Sequence, residues 1–330
     1  MLKIFRVLGM AVLLTVLLAY PASNVLAQQN TLLTFSSGEK IAYAPYELYL
    51  DVTDEIARYS ARQGITFTLA MESYLSANNV VVGMDEFYDL CGEEMNEYLH
   101  SETFALISGI LQQHYGLTSE EIVQCVLENY WSQYIARMMS GLFNALSEMS
   151  DESSESMFNA FTEQFYENFS LEEDDSVALF AGETIHWTDI YENLCTYSSV
   201  VARVEKADAI AVNRSVEIYL EENGISTDLS GLDESVEQAV ASMKSNELYS
   251  RTFDKALAKK GHSMDEFLEA MAPFVIANFQ RASFGAYCYE LYAARELQTD
   301  AADSSTAMED FYNAMLDSVS QPYTVNYLGW

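Results

Sequence analysis

What most constrains this chain is its likeness to itself. Gly116 to Phe143, GLTSEEIVQCVLENYWSQYIARMMSGLF, reappears in altered form 145 positions later as Gly261 to Cys288, GHSMDEFLEAMAPFVIANFQRASFGAYC. Both stretches read as long helices. Thr118 and Ser263 stand where an N-cap belongs, and Glu121 and Glu266 follow three residues on, which is the spacing of a capping box. In the first stretch Ile122, Val126, Tyr130, Tyr134, Met138 and Leu142 form one row at intervals of four. Val123, Leu127, Trp131, Ile135, Met139 and Phe143 form the next. Four residues overshoot a helical turn by about 40°, so the doubled row winds around the helix and no single partner covers it. Either several elements wrap this helix or part of its aromatic surface stays free to hold something else.

The likeness extends beyond the two helices. Leu32 to Ile41, an apolar strand with a turn at Gly38, is echoed by Ser176 to Ile185 with Gly182 at an offset of 144. One inserted residue then moves the offset to 145, where Met71 to Val80 aligns with Val216 to Ile225 and the register runs on into the capping boxes. Three separated matches in one register read as a duplicated module. Each copy reads as strand, helix, a long helix ending near Asn79 or Gly224, a connector, a helix, a turn, then the capped helix. Pro273 falls inside the second capped helix and is expected to kink it by removing the bond to the Glu269 carbonyl. Met157, Phe158, Phe161, Phe165 and Tyr166 make an aromatic helical piece that Met308, Phe311 and Tyr312 resemble. Tyr323 to Leu328 alternates as an edge strand does, and its available partners are the strands near Phe35 or Phe180. The C-terminus is therefore expected to return to the start of a copy.

Residues 1–27 read as an export signal: Lys3 and Arg6, an apolar run from Val7 to Leu18, a break at Pro21, and small residues at Val25 and Ala27 for cleavage after Ala27. No later stretch could cross a bilayer, so the mature chain is expected to be secreted, periplasmic or held at a cell surface. The expected division is a signal over 1–27, a first helical module over 28–150, and an acidic connector with the aromatic helix over 151–175. A second module over 176–297 and a closing helix and strand over 298–330 complete it.

The formal charge of −34 argues against nucleic acid as a partner. Lys and Arg are absent from 63 to 136 and from 138 to 202, which reads first as a solvated acidic surface; no calcium-loop spacing accompanies it. Cys91, Cys125, Cys195 and Cys288 are even in number in an exported chain, so two disulfides in any of three pairings are conceivable. Their positions do not correspond between the copies, which favours buried free thiols.

These features together resemble the peptide-binding part of bacterial extracytoplasmic chaperones of the SurA, PrsA and trigger-factor-like group. The strand with its Gly turn and Ile (Phe35 to Ile41, Leu179 to Ile185), the helix start at Gly116 to Glu121 and more loosely at Gly261 to Glu266, and the closing helix and strand from Met308 to Leu328 carry the resemblance. It covers nearly all of the mature chain. It implies a mostly α fold of two SurA-like helical modules in tandem, each with a short N-terminal strand, and a C-terminal strand returning to pair. The group's enzymes usually insert a parvulin prolyl-isomerase domain, and no stretch here supplies one, so the resemblance implies a chaperone body without the isomerase.

His100, His114, His186 and His262 lie far apart in the chain and make no metal-binding pair on a helix. No nucleophile elbow, phosphate loop or dinucleotide fingerprint occurs, so no catalytic residue, cofactor or metal is assigned. Paired carboxylates for glycoside hydrolysis stay open, because sequence does not give their separation. Flexible thioethers and flat rings suit a surface that repacks around differing apolar sequences. Tyr130, Trp131, Tyr134, Met138, Phe143, Phe279, Phe284 and Tyr287 are therefore the expected peptide-binding residues. The expected partners are unfolded or nascent exported polypeptides, bound without ATP at roughly micromolar or weaker affinity, with basic ones favoured by the net charge. The alternative is a surface interaction or scaffold protein with one specific partner.

Overall fold

The computed structural model describes residues 31–326 apart from 151, 172–176, 181–182, 246–252, 255–256, 259–260 and 297–303. The signal, the acidic run at 172–175 and the chain's last four residues lie outside the described residues. The fold is mostly helical with two small antiparallel sheets.

A hairpin of β1 (Thr31–Phe35) and β2 (Lys40–Ala42) comes first among the described residues, followed by a short 3-10 turn at 44–46. The helices α1 (Glu47–Ala77), α2 (Met84–Leu99), α3 (Glu102–Tyr115), α4 (Ser119–Ser147) and α5 (Ser154–Asn168) come next. Three strands follow, β3 (Phe169–Leu171), β4 (Val177–Phe180) and β5 (Glu183–His186). The remainder is α6 (Asp189–Glu222), α7 (Leu232–Ser245), α8 (Met264–Glu296), α9 (Ser304–Val319) and β6 (Tyr323–Val325).

The chain forms two compact units. One comprises residues 57–201, and the other combines 31–56 with 202–326. Their edges fall inside α1 and α6, so they do not coincide with the stretches 28–150 and 176–297 expected from the sequence. The separate helix and long helix expected at the start of each copy are one continuous helix, α1 in the first and α6 in the second.

In the 57–201 unit α4 lies at the centre, with α2, α3 and α5 packed on it. Its buried residues are Ile122, Cys125, Val126, Tyr130, Tyr134, Ile135, Met139 and Phe143. Burial thus passes from the first apolar row to the second along the helix, as the winding requires, and the wrapping elements follow it. In the other unit α8 is central, with α7 and α9 packed on it. Val236, Val240, Phe253, Leu257, Phe267, Met271 and Val275 form one buried cluster there; Val216, Leu220, Phe284 and Cys288 form another. α8 runs without interruption through Pro273.

Both capping boxes form. The Glu121 amide donates to Thr118 Oγ1 at 3.3 Å, and the Thr118 amide donates back to Glu121 Oε2 at 2.7 Å. The Glu266 amide donates to Ser263 Oγ at 3.3 Å, and the Ser263 amide to Glu266 Oε2 at 2.6 Å.

Positions 145 apart occupy like environments. Leu50 and Cys195, Ile65 and Ile210, Leu75 and Leu220, Cys91 and Val236, Ile122 and Phe267, and Met139 and Phe284 are buried in each case. Asn79 (φ 59°) and Gly224 (φ 67°) both take the left-handed conformation that ends a long helix. One residue later Val80 N–H bonds the Leu75 carbonyl, and Ile225 N–H bonds that of Leu220, both at 2.9 Å. Arg203 Nη2 reaches Asp51 Oδ1 at 3.2 Å, while Arg58 Nη1 reaches Thr196 Oγ1 at 3.5 Å, and these are the same two positions with the helices exchanged. The offset of 145 therefore already holds at Asp51, so the inserted residue lies before it.

The sheets also exchange ends. β6, which follows α9, pairs with β1 through Leu33↔Val325 and Phe35↔Tyr323. β3, which follows α5, pairs with β4 through Phe169↔Phe180. The expected return of the C-terminus is met at the Phe35 strand. Ile41 and Ile185 differ from expectation, because each sits in the second strand of a hairpin, pairing Leu33 and Ala178, instead of leading directly into a helix. Gly38 at φ 89° makes the first of these tight turns possible, donating its amide to the Phe35 carbonyl at 2.9 Å.

Candidate functional site

The aromatic residues singled out from the sequence belong largely to the interior. Tyr134, Phe143 and Phe284 are fully or almost fully buried, and Tyr130 is buried beside the α2 backbone. Tyr134 accepts a hydrogen bond from the Gly83 amide and donates one to Glu86, both at 3.2 Å. The Tyr130 hydroxyl donates to the Glu94 carbonyl at 3.4 Å. Burial is the main cause that raises both phenols above their ordinary value, with Glu86 and Glu94 adding to it. Trp131 is half-buried, with its indole N–H on Glu72 and its ring 5.5 Å from Phe87. Met138, Phe279 and Tyr287 are half-buried too, Phe279 against the Val236 cluster and Tyr287 with its ring 6.2 Å from Tyr219. Of these eight side chains four are therefore buried, Tyr130, Tyr134, Phe143 and Phe284, and four half-buried.

The four cysteines are free and buried. Loss of hydration pushes the thiols of Cys125 and Cys195 up to about 12 and about 11, so neither is a nucleophile at neutral pH. Among the described residues no group of His, Cys, Asp and Glu could hold a metal ion. No helix there is long and apolar enough to cross a membrane.

Exposed apolar side chains gather elsewhere, on α2 and the turn before it. Val81 is 83% exposed, Met84 and Tyr88 are each 40% exposed, and Leu90 is exposed on the far edge of the helix. The cause is the sparse core face of α2, where Phe87 and Cys91 are the buried residues. Phe87 anchors the helix on Trp131 and Tyr134, with ring centroids at 5.5 and 5.8 Å. Arg137 of α4 adds a hydrogen bond to the Leu90 carbonyl at 3.3 Å and an exposed ion pair with Glu94 at 3.8 Å. The outer face is left with two parallel rows at intervals of four. Met84, Tyr88 and Gly92 form one, and Asp85, Asp89, Glu93 and Glu97 the other, with all four carboxylates exposed. Like charges four apart destabilise a helix by about 0.2–0.5 kcal/mol per pair, so the acidic row opposes the helix that carries it.

The chain contains its own control for this surface. At the positions 145 further on, α7 and its approach carry Ser226 for Val81, Asp233 for Tyr88 and Ser235 for Leu90; Leu229 stands for Met84. The acidic row becomes Ser230, Glu234, Gln238 and Ser242. The buried position is kept, with Val236 for Cys91. A helix of this kind thus holds its place with one residue of each row, Leu229 and Glu234, so neither full row is a requirement of the fold. That contrast was available in the sequence, by comparing aligned positions for loss of apolar character instead of for its retention.

Comparison of the chain with protein-family models, curated proteins and solved structures gave no match.

Proposed function

We propose that this protein is an extracytoplasmic polypeptide-binding protein of chaperone type, built from two copies of one helical module and working without a nucleotide. The observation that carries the reading is the exposed apolar row Val81, Met84 and Tyr88 on α2 and the turn before it, of which the other copy keeps only the Met84 position apolar, as Leu229, and makes the other two polar. An apolar strip about two turns long, rimmed by charge, suits weak contact with short apolar segments of non-native chains. Release needs no energy source when each contact is weak, of roughly micromolar affinity or poorer. The export signal read from residues 1–27 sets the place of work outside the cytoplasm, at the surface or in the periplasm, and unfolded or newly exported polypeptides as clients. The matched environments at an offset of 145 and the exchanged strands support the duplication, and the SurA-like character rests on the sequence motifs alone.

The test is suppression of aggregation of several unrelated unfolded clients, comparing the native chain with Val81→Ser, Tyr88→Ser and Leu90→Ser combined. The expected outcome is that the native chain protects all clients and the triple variant loses most of that protection while keeping its helical signal. Protection of none, together with tight binding to one folded partner, would favour a scaffold role instead.

A further inference from the structure

Resting on that reading of α2 as the binding face, we infer that its occupant is a cationic amphipathic polypeptide segment, with apolar side chains seated on Val81, Met84 and Tyr88 and Lys or Arg seated on the neighbouring carboxylate row. The two rows lie side by side because each repeats every four residues: Asp85 and Asp89 flank Tyr88 three before and one after it, and Glu93 continues beyond. Gly92 follows Tyr88 in the apolar row, and its missing side chain leaves the row flat where a visiting segment would lie.

The charge of this face is not met from within its own unit. Residues 57–201 contain Arg58, Arg62 and Arg137 as their only Lys or Arg, and each is directed elsewhere. Arg58 reaches Thr196 at 3.5 Å, Arg62 reaches Glu192 at 3.7 Å, and Arg137 reaches Glu94 and the Leu90 carbonyl. Among the described residues none of Asp85, Asp89, Glu93 and Glu97 makes an ion pair. A row that repels itself, makes no ion pair among the described residues and is reduced to Glu234 in α7 is complementary to a ligand that brings cations. The adjoining exposed methionine and tyrosine require that ligand to be apolar on one side, which a polycation alone is not. An anionic membrane surface would be repelled by the same row.

The experiment is fluorescence anisotropy of labelled probe peptides titrated with the full mature chain. The probes are an amphipathic Leu/Lys peptide, the same peptide with Glu for Lys, and the same with Ser for Leu. The Leu/Lys peptide is expected to bind, and to bind about tenfold more weakly when salt is raised to about 0.5 M. The other two are expected to bind at least about tenfold more weakly than it does. Asp85→Ser, Glu93→Gln and Glu97→Ser together give α2 residues that α7 already carries at those places, so this variant is expected to fold; circular dichroism checks it. It should lose most of the affinity and most of the salt dependence. Met84→Ser with Tyr88→Ser should lose affinity but keep the salt dependence. Equal binding of the Leu/Glu peptide, unchanged affinity and salt dependence in the folded carboxylate variant, or binding of calcium ions that displaces no peptide would overturn the inference. If unfolded clients still bind and the Met84→Ser, Tyr88→Ser variant loses affinity while the carboxylate variant and the Leu/Glu peptide behave like their controls, this inference alone fails. If no polypeptide binds the native chain, the functional reading beneath it fails as well.

Discussion

Tyr134 and Tyr88 show how the same residue type takes opposite parts. Tyr134 sits on the row of α4 that its partners cover, its ring sealed and its hydroxyl shared between the Gly83 amide and Glu86. Tyr88 lies at the margin of α2, its ring edge on Phe87 at 5.1 Å and two-fifths of its surface in water. Tyr134→Ala removes a buried ring and strands two polar groups, so urea denaturation should show a loss of about 3–5 kcal/mol. Tyr88→Ala should change stability by no more than about 0.5 kcal/mol and be felt in binding. Sequence periodicity places Tyr134 on a helix, whereas Tyr88 falls in a stretch that reads only as a connector and one helix, where α2 and α3 stand. An interval of four marks which side chains share a face, and only the neighbours in space decide whether that face is covered.

At the scale of elements, starts and stops were the most legible features. The capping boxes at Thr118 and Ser263 form as their spacing predicts, because a box is a local arrangement closed within four residues. Hydrogen bonds from Thr118, first from its backbone, hold Glu121 below its ordinary carboxylate value, and those from Ser263 do the same for Glu266. A lowered folded-state pKa contributes stability that is complete above the unfolded carboxylate range and lost as pH falls through the lower folded value. The first turns of α4 and α8 should therefore fray on acidification through that window, with no change between neutral pH and its upper edge. Amide proton exchange at Glu121 and Glu266 followed by NMR would register this; Thr118→Ala, which keeps the backbone N–H, should shrink the acid step at α4, and Glu121→Gln should abolish it, both leaving that at α8. Less legible was the fusion of helices at the start of each copy into α1 and α6. No proline stands within Glu47–Ala77 to end the helix, Gly64 is carried inside it, and apolar pattern alone does not mark where one segment hands over to the next.

For the whole molecule, the exchanged ends are the feature that sequence could least supply. The sequence reads as two copies, and that reading offers the last strand a choice between the Phe35 and Phe180 neighbourhoods. Both hairpins present the same kind of edge, so strand pattern has no term that distinguishes them. In the structure β6 takes β1 and β3 takes β4, and each compact unit draws on both copies. A chain cut after residue 175 should therefore keep neither sheet complete. Light scattering after chromatography should find it unfolded or associated with a second copy, not a folded monomer. The account as a whole stands on α2 being the face that meets a client while its counterpart α7 does not. Hydrogen–deuterium exchange of the full chain with and without an unfolded client tests this most directly. Added protection over residues 81–97, with residues 226–242 unchanged, is the predicted result; protection confined to other segments, or equal on both, would contradict it.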